Sequence, residues 1–366
     1  MGGGARLKDI AQILGELGFS LNLICYLSDS TYNLKRFNHD YKDVTEFHVP
    51  EDWRRILKAL IIFYILYEGI KKIRGTDVIL SHSTSVTTGL PALLLSKIFR
   101  KPLIVDYIDL KDDDTPLFIH NMVLKNSKKI MTISHYLKRE VDREYLDKSC
   151  YIPIFIDSNL FQFKEESRKE VRECLGIGDE ILVGYAGSFW YVEGVPILLR
   201  VFNHLKQIFP LKLLLLGGAN VKGSDDVTGL IKKMSLGKDV IILPPQPREK
   251  IPDYLSACDI LCSPKIDNKI NEAANPVKIY EYLSMGLTTV ASSVGEVSNL
   301  IENGRNGFLF KAGNEKELEK VMEKLILDPE LRALVGKRGR DTIYNHYRRE
   351  LYQDKIKCLL EESMGE

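Results

Sequence analysis

Several features that would point to a membrane-spanning, metal-binding or nucleic-acid-binding protein are missing from the chain. Its six cysteines, Cys25, Cys150, Cys174, Cys258, Cys262 and Cys358, show neither two-residue spacing nor histidines at zinc-site intervals. That pattern suggests no metal framework or redox pair and leaves buried or free thiols in a reducing cytoplasm. Basic and acidic side chains nearly cancel, 51 against 50, so no overall field attracts nucleic acid. The most apolar stretch, Ala59 to Tyr67, falls well short of the roughly 18 residues a membrane span requires, and Arg54, Arg55, Lys58, Lys71 and Lys72 flank it. No signal peptide is visible, because no apolar region follows a basic one at the start. A GxGxxG with a downstream ribose-binding acid is absent, which disfavours a dinucleotide oxidoreductase. No Asp-x-Asp pair stands in a strand-end context; KDDDTP (111–116) comes nearest and reads as a solvated loop. The sequence therefore asks for neither a metal nor another cofactor.

At 366 residues, 45% of them hydrophobic and 28% charged, the chain exceeds what one core usually supports and reads as two domains. Strand-like runs recur between helical segments at Ser20–Leu27, Asp77–His82, Pro102–Asp109, Lys129–Ser134 and Cys150–Phe155. A second series follows at Ile181–Ser188, Leu211–Gly218, Asp239–Pro245, Asp259–Pro264 and Leu287–Ser292. Alternation of this kind predicts parallel α/β sheets, and continuous apolar runs fit strands buried on both faces. The expected division is 1–160, 161–345, and a terminal helix over 346–366 packing back on the first domain.

The densest cluster of informative residues is NPVKIYEYLSMG, Asn275 to Gly286, which reads as a turn, a helix and then a strand. Lys278 and Glu281, three apart, share a helix face. One reading is a surface ion pair. The other is a diphosphate site, with the helix N-terminus (Asn275, Pro276, Val277) and Lys278 meeting phosphate and Glu281 accepting from ribose hydroxyls.

From Pro276 to Phe310 the sequence resembles the donor-binding region of family 4 glycosyltransferases. GGGAR near the start, IPIFIDSNLF (152–161), GSFWYVEGVPILLRVF (187–202) and IPDYLSACDILCSP (251–264) match in the same order. The resemblance implies the GT-B fold, with two Rossmann-like doubly wound domains facing across a cleft. It also implies a retaining, metal-independent transfer of a sugar from a nucleoside diphosphate sugar to a hydroxyl acceptor, on a glycan or a lipid. Glu281 takes the place of the ribose-binding second glutamate of the family's Glu-seven-residues-Glu motif; the first falls at Ala273, beside Glu272. The Arg and Lys that often hold the diphosphate give way to residues such as Phe189 and Glu193. Lys278, in a Pro-x-Lys-x-x-Glu version of the motif, is expected to compensate, and Glu193 to face solvent because a carboxylate would repel the diphosphate. Gly187 and Ser188 belong to the same donor-binding set. A sugar-nucleotide epimerase, a phosphorylase and a non-catalytic nucleotide-sugar-binding protein are the rivals.

On the N-terminal side, Gly2, Gly3 and Gly4 bring backbone N–H groups close to a phosphate if they form a turn, or are simply a terminus. A glycine turn normally follows a strand, so a strand upstream of Met1 is expected. Asp106 and Asp109 lie at the end of a strand; Asp109 either contacts the transferred sugar or acceptor, as a catalytic group, or caps the next segment. His82, also at a strand end, lines the cleft or hydrogen-bonds a loop. The basic and apolar stretch from Trp53 to Arg74 is either a helix packed on the first sheet or one resting on the inner face of a membrane.

Overall fold

In the computed structural model, residues 2–27, 43–48, 57–112, 114–218 and 224–365 are described. The chain divides into two compact units, one of Gly3–Pro153 with Arg349–Glu366, the other built on Ile154–Arg348.

The N-terminal unit runs α1 (Gly2–Glu16), β1 (Asn22–Leu27), β2 (Asp43–His48), α2 (Lys58–Lys72), β3 (Ile79–Ser81) and α3 (Gly89–Phe99). It continues with β4 (Leu103–Tyr107), α4 (Leu117–Asn126), β5 (Lys129–Thr132), α5 (His135–Tyr145) and β6 (Ser149–Tyr151). β1 and β2 pair in parallel, and β3-β4-β5-β6 form a second parallel sheet. All five residues of β4 are buried, which is why the segment reads as an unbroken apolar run around Asp106. β2 was not anticipated: its sequence DVTEFH carries two acids and lacks such a run. Gly2–Gly4 are the first turn of α1 and not a loop before it. A helix's first N–H groups have no intrahelical acceptor in any case, so the glycines keep free donors there. α2 begins at Lys58; Trp53–Ile56 lie outside the described residues.

The C-terminal unit contains α6 (Glu165–Cys174), β7 (Ile181–Ala186), α7 (Val195–Leu205), β8 (Leu211–Leu216), α8 (Ser224–Lys233), β9 (Val240–Leu243), α9 (Ile251–Ser256) and β10 (Ile260–Ser263). Then come α10 (Lys269–Ala273), α11 (Val277–Ser284), β11 (Thr288–Ser293), α12 (Val297–Leu300), β12 (Phe308–Lys311), α13 (Glu315–Leu327) and α14 (Pro329–His346). The six strands are parallel in the order β12-β11-β10-β7-β8-β9. The chain therefore winds one way from β7 to β9 and the other way from β10 to β12, and the direction changes between β7 and β10. Open α/β sheets bind ligands in the crevice beyond the carboxyl ends of the strands at such a point. Asn314 and Asp328 cap α13 and α14 by accepting from Glu317 N and Leu331 N, the Asx signal that starts a helix.

A last helix, α15 (Gln353–Met364), belongs to the N-terminal unit. Lys129 and Glu362 pair at 2.7 Å, Lys355 Nζ donates to Tyr151 O at 2.8 Å, and Arg349 meets Glu16 at 3.1 Å. All six cysteines are free thiols. Burial pushes the Cys258 and Cys262 thiols far up, so both serve as packing groups and not as nucleophiles. Among the described residues no helix is long and apolar enough to cross a membrane.

Candidate active site

Two glycines set the geometry where the sheet changes direction. β7 ends at Ala186 and the chain turns through Gly187, whose φ of +151° disfavours a side chain; a Cβ there would lie 2.4 Å from Lys278 Nζ. A Cβ at Gly194 would lie 1.9 Å from Pro264 O, so the loop after β7 lies directly on the loop after β10. The two loops bring together residues that are distant in sequence.

Between them lies a chain of charges. Lys278 Nζ donates to Glu193 Oε2 at 2.7 Å and to Tyr185 Oη at 3.0 Å, and stands 4.4 Å over the Tyr185 ring. A cation on an aromatic face gains from the ring quadrupole. Lys265 Nζ reaches the other oxygen, Glu193 Oε1, at 3.1 Å and Asn271 Oδ1 at 2.9 Å. Asn271 is itself fixed, donating to Val192 O at 2.8 Å and Ile266 O at 2.7 Å. Tyr185 Oη donates to Ser188 O at 2.6 Å.

Glu193 does not face solvent as the sequence reading expected: only 13% of its side chain is exposed. The charge argument assumed an isolated carboxylate, whereas two ammonium groups hold this one. Burial alone would raise its pKa, but Lys278 first and then Lys265 bring it down to about 2. Burial, with Glu193 nearby, keeps the Tyr185 phenol protonated at any ordinary pH. Two lysines against one carboxylate leave the cluster one positive charge.

α11 supplies the other half of the site. Pro276 precedes it and offers no side-chain cap; Ile279 N donates to Pro276 O at 3.1 Å, so the N–H groups at Val277 and Lys278 and the positive end of the dipole are what this terminus offers an anion. Lys278 is its second residue. Tyr282 anchors the helix to β7, its hydroxyl accepting from Ala186 N at 2.6 Å and donating to Ala186 O at 3.2 Å. One turn along, Glu281 is buried beside Arg248, whose Nε lies 3.6 Å from Oε1 and whose guanidinium sits 5.5 Å from the Phe161 ring centre. Lys278 and Glu281 are thus not a surface pair; each is matched to a charge from another element. Asn275 and Val277 are buried beside them, while Glu272 on α10 is half-exposed.

Sequence reasoning missed Lys265, Asn271, Arg248 and Tyr185. A signal for Lys265 existed, because it stands just past Ser263 at the carboxyl end of β10, where the strand-end rule applied to Asp109 would have found it. Arg248 follows a proline-rich loop and carries no motif.

The N-terminal unit has its own buried cluster. Arg6 Nε donates to both oxygens of Asp106 at 3.0 Å, Nη2 donates to Oδ1 at 3.0 Å, and Nη1 donates to Pro153 O at 2.8 Å. His82 Nδ1 lies 3.0 Å from Asp106 Oδ2 on the neighbouring strand. Asp106 is fully buried. Burial raises its pKa, yet the Arg6 charge and the His82 hydrogen bond outweigh that and lower it. Asp109 is two residues past the end of β4, in an exposed bend.

A doubly wound sheet with a cationic cluster at its switch point defines a class, and comparison with known proteins supplies the family. Residues 167–342 match the family described as Glycosyl transferases group 1, and the chain has the GT-B fold. It is 26% identical over 196 residues to the D-inositol 3-phosphate glycosyltransferase of Stackebrandtia nassauensis, a match covering 51% of this chain and 43% of that protein. The chain thus spans less than half the length of that relative. It is 22% identical over 329 residues to an uncharacterized glycosyltransferase of Methanocaldococcus jannaschii, covering 87% of each. Among solved structures, sucrose-phosphate synthase from Thermosynechococcus elongatus superposes with a TM-score of 0.81 at 17% identity, over 99% of this chain and 93% of that one. Anabaena HepE in complex with UDP and glucose gives 0.80 at 19%, over 99% and 96%.

Proposed function

We propose that the protein is a retaining glycosyltransferase that moves a sugar from a nucleoside diphosphate sugar to a hydroxyl acceptor. The observation that carries this reading is the Lys265–Glu193–Lys278 chain beside the uncapped start of α11. Breaking the bond between sugar and diphosphate places negative charge on the leaving phosphate. A lysine, a helix N-terminus and the backbone at Ser188, with Gly187 beside it leaving room for close approach, are preorganised for that charge. Glu281 accepts from the ribose hydroxyls, and Arg248 beside it fixes its carboxylate. Asp109 contacts the transferred sugar or the acceptor, and Gly3 and Gly4 offer N–H groups to phosphate. HepE is known with UDP and with UDP-glucose, which makes uridine diphosphate the first nucleotide to try.

The test pairs binding with turnover. Calorimetry against UDP, GDP and ADP is expected to show one preferred nucleotide, and Glu281→Ala to weaken it by about 1.5 to 3 kcal/mol, the value of hydrogen bonds to a charged acceptor. Unchanged affinity in the folded variant means that the ribose lies elsewhere. Nucleoside diphosphate release that requires an acceptor separates transfer from epimerase activity.

A further inference from the structure

The N-terminal unit carries a surface that the transfer reaction does not use. α2 has its amphipathy turned outward. Leu60, Phe63, Tyr67 and Ile70 follow one another at steps of three, four and three residues, which puts them on one stripe of the helix, and all four are exposed. The opposite stripe, with Ile61, Ile65 and Gly69, is the buried one. At Gly69 the helix closes on α3 so tightly that a Cβ would lie 2.3 Å from Leu95 Cδ1. α3 continues the apolar surface with Ile98, 65% exposed, and packs in turn against α4. The start of α4 adds Leu117 and Phe118, also exposed, and Lys58 at the start of α2 reaches the loop before α4 by pairing with Asp114 at 3.1 Å. Nine of the 17 exposed large hydrophobic side chains among the described residues fall between Leu60 and Met122. Scattered exposed leucines need no explanation, but a concentration across three adjacent helices does.

Charge identifies what covers it. From Lys58 to Lys101 the chain has seven Lys and Arg against two Asp and Glu, a net of +5 in a protein whose total is +1. One of the two acids, Glu68, is buried and paired with Lys71 at 2.9 Å. Apart from Lys58 at the start of α2, the basic residues sit at or just past the C-terminal ends of α2 and α3. An apolar strip with a basic margin fits a bilayer bearing anionic headgroups, where aromatic and aliphatic groups enter the interface and lysines meet phosphate.

We infer that α2, α3 and the start of α4 form a platform that docks the protein on an anionic lipid surface. The inference extends the sequence reading of 53–74 from one helix to three, and stands without the donor assignment: vesicle binding tests the platform and nucleotide binding tests the donor site. The experiment is co-sedimentation of the full chain with vesicles of phosphatidylglycerol and phosphatidylcholine in equal parts, and with phosphatidylcholine alone. Binding is expected to the mixed vesicles, to fall steeply with salt, and to be much weaker on phosphatidylcholine. Phe63→Ser with Phe118→Ser is expected to lower binding at least tenfold, and Lys71→Glu with Lys72→Glu and Lys97→Glu to abolish the preference for anionic lipid. Both variants are checked for an unchanged circular dichroism spectrum and unchanged nucleotide affinity. Absence of binding to the mixed vesicles, or equal binding by the variants, overturns the platform. So does a dimer that Phe63→Ser and Phe118→Ser dissociate without any lipid binding, which would make the face an interface between copies of the chain.

Discussion

The two units each bury a carboxylate near the carboxyl ends of their parallel strands, and they neutralise it differently. In the N-terminal unit one arginine takes both oxygens of Asp106 and a histidine adds a contact. In the C-terminal unit Glu193 is divided between two lysines. The Arg6–Asp106 pair cancels, and its bidentate geometry serves to fix α1 to β4. The second keeps one positive charge, and an ammonium on a flexible stem can turn toward a newcomer. Similar burial thus produces a structural lock in one place and, in the other, the cationic cluster proposed to meet the diphosphate.

The largest effect is expected from breaking the lock. Arg6→Ala leaves Asp106, 0% exposed, without its principal cation, and removing one partner of a buried pair costs about 3 to 5 kcal/mol. Urea unfolding is expected to show a loss of that size. A cost below about 1 kcal/mol, the range of a surface pair, would mean that the pair does not hold α1.

Acid reveals the second cluster. The Glu193 pKa is depressed from 4.5 to about 2 in the folded chain, so its contribution to stability is fully present above the unfolded value and is lost as pH falls through the folded one. The shift corresponds to about 3 kcal/mol. Glu193→Gln is expected to flatten the stability profile between those two pH values relative to the parent, with the gap largest near neutrality. Parallel profiles would contradict the two-lysine clamp.

Turnover separates the two lysines. Lys278→Ala leaves Glu193 held by Lys265 alone, so some stability is lost with the stronger-acting of its two cations, and the cation nearest α11's N-terminus is gone. Loss of a preorganised donor to developing charge costs roughly 10²-fold in rate, and kcat is expected to fall by that order while KM moves less. Wild-type kcat in the variant would remove Lys278 from the reaction. Lys265→Ala, which unbinds the opposite oxygen of Glu193, is the control.

Much of this architecture was legible because burial on both faces leaves a record in sequence: β4, β7, β8 and β10 are continuous apolar runs, and each was placed within a few residues. β2 and β12 were not, since four- to six-residue strands with charges at their ends resemble loops. Within the site, the Pro276–Glu281 motif was readable because a helix of fixed pitch relates its residues. Glu193 was misjudged because its neighbours, Lys265 and Lys278, come from elements 72 and 85 residues away. A repulsion argument made along the chain had no way to include them. Arg248, facing Glu281 from the loop after β9, was missed for the same reason.

The smallest expected effect concerns His82, and it decides how much of the N-terminal lock is arginine. His82 is 21% exposed at its side chain and makes one contact to Asp106 Oδ2 at 3.0 Å, whereas Arg6 makes three short donor contacts to the same carboxylate. Gln at position 82 retains a neutral donor of similar reach. It removes only the ability to carry charge, so the replacement is expected to cost no more than about 1 kcal/mol, the net value of one ordinary hydrogen bond. His82→Ala, which deletes the donor, is expected to fall between His82→Gln and Arg6→Ala. If Asp106 depends mainly on Arg6, the three variants rank in that order in the size of their loss of urea midpoint. Should His82→Gln destabilise as much as Arg6→Ala, the carboxylate is held by a charged imidazole. The N-terminal cluster would then carry a positive charge as the C-terminal one does, and the contrast drawn between the two units would fail.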